Sequence, residues 1–505
     1  MTTLESFKVL RKLSVNNIHI EPRKVKASYC VEKCTGETSS FELMYSYEHP
    51  YFSKKEPSDV NLASMMLAQV ALNYGLFFEA IEFDGLFDKT DQQFIKDMME
   101  NTSREILTNK LLIKNEFLKP PFDNLQPEKR EKYTQAELLF TNTQFGSLCL
   151  EKEEAVTDLN KYAILSSGGK DSLLSYGIIK EIGIPYPVFI NEAGRHWFSA
   201  VNSHRYYKEI EPHTEKPWCN SDRMFNWMLK QLPFIKENYA SIRADIYPIR
   251  LWTVAVFLFG VLPVARKKGI GNILIGDEYD TTLKGNLNGI SHYNGLYDQS
   301  KYFDNALTRY YKNKGWTIFQ YSLLRSLGEL LIMKTLIKRY PELQKHQVSC
   351  HAAHEMNGRM LPCGKCEKCR RIIGMVMALD ENPENCGYSE AQINQGLKAL
   401  ATQSIKQIGS DAAQLYFMLL EKDLIKKNEF TVKVAKEHLE ILKLRFDNER
   451  STLEDLPLHI RKPLFAILGA YANGAVARQE KKWVEIEINN DFLTETKYKF
   501  DGQKN

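Results

Sequence analysis

The sequence predicts an α/β protein: a parallel sheet flanked by helices, with an α+β region before it and a mainly helical region after it. Three observations predict this. From about Lys161, short apolar runs of the fully buried kind alternate with helix-like stretches, as in the strand–helix units that build parallel sheets. Ser167-Gly168-Gly169-Lys170-Asp171-Ser172 joins one such run directly to a helix-like one. A chain of 505 residues also exceeds one ordinary core, so two or three domains are expected.

In chain order, residues 1–155 read as an N-terminal α+β domain. Phe7–Leu13 and Phe41–Tyr45 have strand character, while Asn61–Phe78 and Asp91–Leu112 have helical periodicity. No catalytic pattern occurs here, and the region is expected to help select the substrate. Cys30 and Cys34 have no second pair nearby and read as free thiols, since structural zinc takes four ligands. Lys119-Pro120-Pro121 and the charged run Pro127–Lys132 mark a linker.

Residues 156–385 carry the alternation. Ala163–Leu165, Pro187–Ile190 and Asn272–Ile275 are the strands, and Leu173–Glu181, Asp222–Lys230 and Leu251–Arg266 the helices between them. Residues 386–505 read as a smaller helical region or a cover for the cleft. Asp411–Glu421 and Val432–Asp447 are its helices, and Trp483–Ile488 alternates like a strand.

Composition excludes several classes. Apolar content of 43% and charged content of 26% are those of a water-soluble globular protein. A net charge of +4 over this length gives no electrostatic reason to expect a nucleic-acid partner. The most apolar stretch, Leu251–Ala265, is shorter than the roughly 20 residues that span a bilayer. Met1-Thr2-Thr3-Leu4-Glu5 opens no signal peptide. The expectation is therefore a cytoplasmic protein with no membrane partner, with homo-oligomerisation left open. Nine cysteines in such a chain do not argue for a disulfide framework.

The turn after the strand at Ala163–Leu165 has the chemistry of a phosphate cradle. A helix N-terminus presents unpaired N–H groups and partial positive charge. Gly168 and Gly169 let the backbone approach an anion closely, Ser167 and Ser172 add hydroxyls, and Lys170 adds full charge. Ligands of parallel sheets bind at the carboxyl ends of strands, where Gly276-Asp277-Glu278 also lies, after Ile275. Asp277 and Glu278 are thus candidates for Mg²⁺ or substrate contact, the other reading being that Asp277 caps a helix. His292, Tyr293, Tyr297 and Lys301 follow this acidic turn and are candidates for a second chemical step.

Cys350, Cys363, Cys366 and Cys369 offer four thiolates at short range, with Gly364 permitting a tight turn. Four sulfurs suit a closed, tetrahedral, structural Zn²⁺ site. An iron–sulfur cluster is the rival, but a ferredoxin run continues C-x3-C-P, whereas Arg370-Arg371-Ile372 follows here. Lys365, Lys368, Arg370 and Arg371 would offset the negative centre, and His351 and His354 are alternative ligands.

The run S-G-G-x-D-S resembles the PP-loop of the N-type ATP pyrophosphatases. The resemblance implies an adenine nucleotide alpha hydrolase-like fold and cleavage of ATP between its α- and β-phosphates. Ser167 to Ser172 would hold the departing diphosphate, with Asp171 buttressing the loop or assisting Mg²⁺. With the cysteine cluster, S-C-x12-C-G-x-C-x2-C, and with Leu324–Leu330, residues 160 to 380 resemble the zinc-containing 7-cyano-7-deazaguanine synthases. The layout, with large flanking regions, is also similar to the ATP-dependent UDP-N-acetylmuramoyl-L-alanyl-L-glutamate epimerases. These resemblances imply an enzyme that adenylates a small-molecule or peptide-like carboxylate, releasing AMP and pyrophosphate in all. Lys170, Asp171, Asp277 and Glu278 would be catalytic, with ATP, Mg²⁺ and Zn²⁺ as cofactors. Epimerisation or amide or nitrile formation would follow, any ammonia coming from solution or a partner. Two alternatives stand beside this: a tRNA-modifying PP-loop enzyme, and an inactive zinc-stabilised binding module. The first would call for a basic RNA-binding domain or a catalytic cysteine pair, yet Cys149 and Cys219 are isolated.

Overall fold

The computed structural model describes residues 2–151, 156–242, 247–294, 297–406 and 409–501. Period-two alternation near the N-terminus forms the antiparallel strands β1 (Leu10–Glu21), β2 (Lys24–Lys33) and β3 (Thr38–Ser46). On β3, Leu43 and Tyr45 are buried while their neighbours along the strand are more exposed, the signature of a half-covered sheet. β4 (Phe78–Asp84) then pairs parallel with β1, and β5 (Glu137–Thr141) parallel with β4.

The middle region supplies β6 (Asp158–Leu165), β7 (Ile184–Val188), β8 (Trp218–Cys219), β9 (Ile270–Leu274), the hairpin β10 (Gly285–Leu287) and β11 (Ile290–His292), and β12 (Phe319–Tyr321). β8 joins the first sheet beside β3, making it six-stranded and mixed. The others form a four-stranded, all-parallel sheet in the order β12-β9-β6-β7. From β6 the chain first adds a strand on one side, then returns to add β9 on the other. The carboxyl ends of β6 and β9 therefore flank a topological switch point, where open α/β sheets leave a crevice.

The helix Val254–Lys268 is buried between the sheets. The Tyr47 hydroxyl of the first-sheet side donates to its Gly260 carbonyl (2.8 Å), and Tyr45 to its Val256 carbonyl (3.2 Å). One hydrophobic core consequently runs from Leu4 to Ile318. The boundary placed at residue 155 falls among residues 152–155, outside the described residues. Among the described residues no helix is long and apolar enough to cross a membrane.

Several elements depart from the expected spans. Asn61–Phe78 is not one helix: Pro57–Ala68 is helical, Gln69–Tyr74 is a 3-10 turn, and β4 opens at Phe78. Asn61 to Phe78 is buried throughout, so no polar face reported where the helix stops. Phe7 closes a 3-10 turn, and the strand begins only at Leu10. The C-terminal region is less helical than expected. Of Val432–Asp447, only the part to Val434 belongs to an α-helix, Glu429–Val434, and Leu439–Leu442 is a 3-10 turn. Leu444–Phe446 instead pairs with Ala475–Gln479, which pairs with Lys482–Ile486 in a three-stranded sheet. The last two strands form a local hairpin, the second of them matching the alternation at Trp483, but Leu444–Phe446 is paired by a non-local contact that local periodicity does not register.

Candidate functional site

The turn after β6 is held from both sides. Ser166 N–H donates to Val188 O (2.9 Å), and the chain then reverses at Gly168, whose φ is +75°. A Cβ on Gly168 would lie 2.2 Å from the Ser199 carbonyl, so only glycine fits. Ser199 Oγ donates to Ser167 O (3.1 Å), and Val348 N–H donates to Gly168 O (3.0 Å). Gly169 then enters the helix Lys170–Ile182 without a side-chain cap, leaving first-turn N–H groups for other acceptors. Ser172 Oγ staples the turn, donating to Gly169 O (3.1 Å) and accepting from Ser167 N–H (3.3 Å). At the end of β9, a Cβ on Gly276 would stand 2.7 Å from Asp171 Cβ. A glycine there lets the chain leaving β9 approach the first turn of the helix Lys170–Ile182.

The turn opens on a cleft of about 380 Å³ lined by Ser167, Gly169, Asp171, His196, Asp277 and Arg371 among others. Lys170 is 4% exposed, and its Nζ lies 2.7 Å from Asp171 Oδ1, 3.2 Å from Glu278 Oε2 and 3.2 Å from Glu329 Oε1. Burial opposes the lysine charge, but the three carboxylates outweigh it and hold its pKa above the ordinary lysine value. Glu329 in turn meets Arg371 Nη1 through Oε2 (3.3 Å). Burial pushes the Glu278 pKa well above the carboxylate range against the pull of Lys170. The lysine read from the sequence as facing an anion is thus the centre of an acidic cluster.

Asp277 is buried and pairs with Arg325 Nη2 (3.3 Å), which also binds Asp304. Burial raises its pKa strongly, with Arg325 opposing. Glu278, not Asp277, occupies the cap position of the following 3-10 turn, and no side-chain cap forms there. Glu192 and His196 are marked by no sequence motif, and Glu329 entered only as part of the Leu324–Leu330 stretch, with no role given to it. Glu329 begins the helix Glu329–Arg339 after Gly328, and a glycine before an acidic helix start beyond β12 is the signal that could have found it. His196 is pushed down to about 3, first by burial and then by His351, and is neutral at physiological pH.

The second-step candidates lie elsewhere. Tyr293 N–H donates to Glu105 (2.9 Å), Tyr297 stacks on Trp252, and Lys301 Nζ donates to Asn448 O (2.9 Å). His292 is buried on β11, and none of the four lines the cleft.

The four cysteines converge. Their sulfurs all lie within 4.8 Å of one another, with Cys350–Cys366 at 3.7 Å, Cys363–Cys369 at 3.8 Å and Cys366–Cys369 at 3.5 Å. Zn–S bonds of about 2.3 Å at tetrahedral angles place sulfurs about 3.8 Å apart, so the set fits a ZnS4 centre. It does not fit a disulfide, which needs about 2.05 Å. Gly364 adopts φ +71°, and a Cβ there would lie 2.5 Å from Gln392 Cγ. Among the described residues this is the one group of three or more His, Cys, Asp or Glu close enough to hold a metal. His354 is exposed and outside the set, while His351 lines the cleft. Of the nearby bases, Arg371 turns to Glu329 and Glu367. The helix Glu367–Ala378, which carries Lys368, Arg371 and Ile372 into the cleft wall, begins at the four-cysteine cluster.

No family model matches the chain, and no curated protein matches it.

Proposed function

We propose that the chain is an AMP-forming ATP pyrophosphatase of the PP-loop type that adenylates a carboxylate. The observation that carries this reading is the Gly168–Ser172 turn. It stands at the carboxyl end of β6, beside the end of β9, and opens on the cleft at the switch point. The residues present fit a triphosphate. Gly169 lines the cleft, and a Cβ there would meet nothing closer than Ser167 Oγ at 3.5 Å, so it would occupy space left for a ligand.

A carboxylate is a poor electrophile because hydroxide is a bad leaving group. In the proposed step a carboxylate oxygen forms a bond to the α-phosphorus. The bond to the bridging oxygen breaks, and pyrophosphate leaves with the electron pair. The first-turn amides at Gly169–Ser172 and the Ser167 hydroxyl hold the charge that develops there. These donors are already fixed by the Ser199, Val348 and Ser172 hydrogen bonds, so little reorganisation accompanies reaction. Arg371 and Lys368 line the same cleft as further cations. Lys170 orients Asp171, Glu278 and Glu329. Mg²⁺ would neutralise the phosphates, with Asp171, 28% exposed at its side chain, as the carboxylate best placed to meet it. Zn²⁺ on the four cysteines would brace the wall that carries Arg371.

Incubation of the full chain with ATP labelled at the α-phosphate and a carboxylate panel tests this. The expected products are AMP and pyrophosphate; ADP and phosphate would overturn the reading.

A further inference from the structure

We infer that Lys368 is the residue that receives the α-phosphate of the nucleotide. The inference rests on the AMP-forming reading above and deepens it. Lys170, Arg371 and Lys368 are the lysine and arginine side chains that line the cleft, and Asp171, Glu192, Asp277 and Glu329 are its carboxylates. Two of the cations are already engaged. Lys170 meets Asp171, Glu278 and Glu329, while Arg371 meets Glu329 (3.3 Å) and Glu367 (3.8 Å). Lys368 forms no ion pair with a carboxylate among the described residues. It is the cation that the cleft leaves for a ligand.

Its position follows from the helix Glu367–Ala378. Lys368 and Arg371 stand three residues apart and so share one face, with Lys368 about one turn nearer the helix start. Arg371 Nη1 reaches Glu329 Oε2 (3.3 Å), and Glu329 Oε1 reaches Lys170 Nζ (3.2 Å). The row of contacts from the glycine turn thus runs through Lys170, Glu329 and Arg371, and Lys368 stands one helical turn beyond it. Lys368 is an exposed residue whose Nζ lies 3.4 Å from His351 Nε2, and His351 lines the same cleft. Among the described residues its ammonium makes no hydrogen bond to a cysteine sulfur.

A triphosphate with its terminal pair on the first-turn amides at Gly169–Ser172 extends its α-phosphate farther along the cleft. Attack by a carboxylate there brings two anions together, and a cation on the non-bridging α-oxygens offsets their repulsion. Lys368 donates hydrogen bonds to those oxygens and keeps its proton throughout. The carboxylate oxygen bonds to the α-phosphorus, and the bond to the bridging oxygen breaks with its electron pair going to pyrophosphate. AMP carries the oxygens that Lys368 binds; pyrophosphate lacks them.

The experiment titrates AMP, pyrophosphate and ATP into the full chain by calorimetry, with Lys368→Met, Lys368→Arg and Lys365→Met beside the wild type. In Lys368→Met, AMP and ATP should bind roughly tenfold more weakly, as expected for a lost hydrogen bond to a charged group. Pyrophosphate should bind as before. A general loss of positive field would act the other way, weakening the more highly charged pyrophosphate most. Lys368→Arg should restore AMP affinity to within about threefold. Lys365 is exposed on the same cysteine loop and outside the cleft lining, so Lys365→Met should change neither affinity. Metal content should be equal in all four proteins. Should Lys368→Met not fold, Lys368→Gln takes its place. Unchanged AMP affinity in that variant, equal losses for AMP and pyrophosphate, or metal lost together with affinity overturns the inference. The adenylating reading survives those outcomes if the wild type still forms AMP and pyrophosphate from ATP. Formation of ADP by the wild type, with AMP affinity selectively lost in Lys368→Met, would sink that reading and leave the α-phosphate contact standing.

Discussion

Lys170 Nζ lies 3.2 Å from Glu329 Oε1, a buried pair joining the first helix after β6 to the first helix after β12. Asp171 and Glu278 share the same ammonium. Removing this ammonium leaves three carboxylates close together with only Glu329 still paired, to Arg371, whereas removing one carboxylate leaves the lysine paired twice. Lys170→Met should therefore cost about 3–5 kcal/mol of stability, the usual effect of orphaning buried charge. Glu329→Gln should cost less, about 1–2 kcal/mol, because the amide still accepts hydrogen bonds. Urea unfolding of both variants checks the order.

The two glycines of the turn should separate folding from ligand binding. Gly168→Ala forces φ +75° on a residue with a Cβ and drives that Cβ into the Ser199 carbonyl. A loss of about 2–4 kcal/mol is expected. Gly169→Ala has ordinary φ (−84°) and no close contact, so stability should change by less than about 1 kcal/mol. If the turn holds phosphate, Gly169→Ala nevertheless weakens ATP binding. Thermal melts and nucleotide titration on the same preparations distinguish the two effects.

Metal analysis should find one zinc per chain and no labile sulfide. Cys366→Ser removes one of four converging sulfurs and should lose the metal and lower the melting temperature. Cys386→Ser is the control. Cys386 belongs to the same core and is more deeply buried than Cys366, but it donates to Pro383 O (3.3 Å) and lies outside the four-sulfur set. Zinc content should be unchanged in that variant.

Asp298 accepts the N–H groups of Thr253, Val254 and Ala255, capping the helix whose Val254 and Phe257 line the cleft. Burial pushes its pKa up to about 6, against the pull of those amides. Between about pH 4 and 6 the folded state thus binds more protons than the unfolded state. This residue's contribution to stability therefore falls as pH rises through that window, by about 3 kcal/mol in all. In Asp298→Asn the dependence disappears. Wild-type stability relative to the variant should decline across this window and level off above it, as urea unfolding at a series of pH values will read.

Local chemistry was legible in the sequence. The strand–glycine–helix turn at Ser167–Ser172, the parallel alternation around it and the convergence of the four cysteines could all be read from neighbours in the chain. Such features rest on local backbone requirements: positive φ at Gly168 and Gly364, and thiolates close enough to share one ion. Of the C-terminal sheet only the strand at Trp483 was legible, by its alternation; Leu444–Phe446 and the end of the helix at Ala68 were not, because non-local pairing and burial on every side erase periodicity.

The sequence by itself determined where a glycine turn would lead a strand into a helix and where four cysteines would gather. Tertiary structure decided what surrounds them. It placed Lys170 among three carboxylates in the wall of the cleft, and brought Glu329 and Arg371 beside it. The reason is physical. A buried charge is governed by whichever groups folding packs within a few ångströms of it, and those groups come from strand ends far apart in the chain.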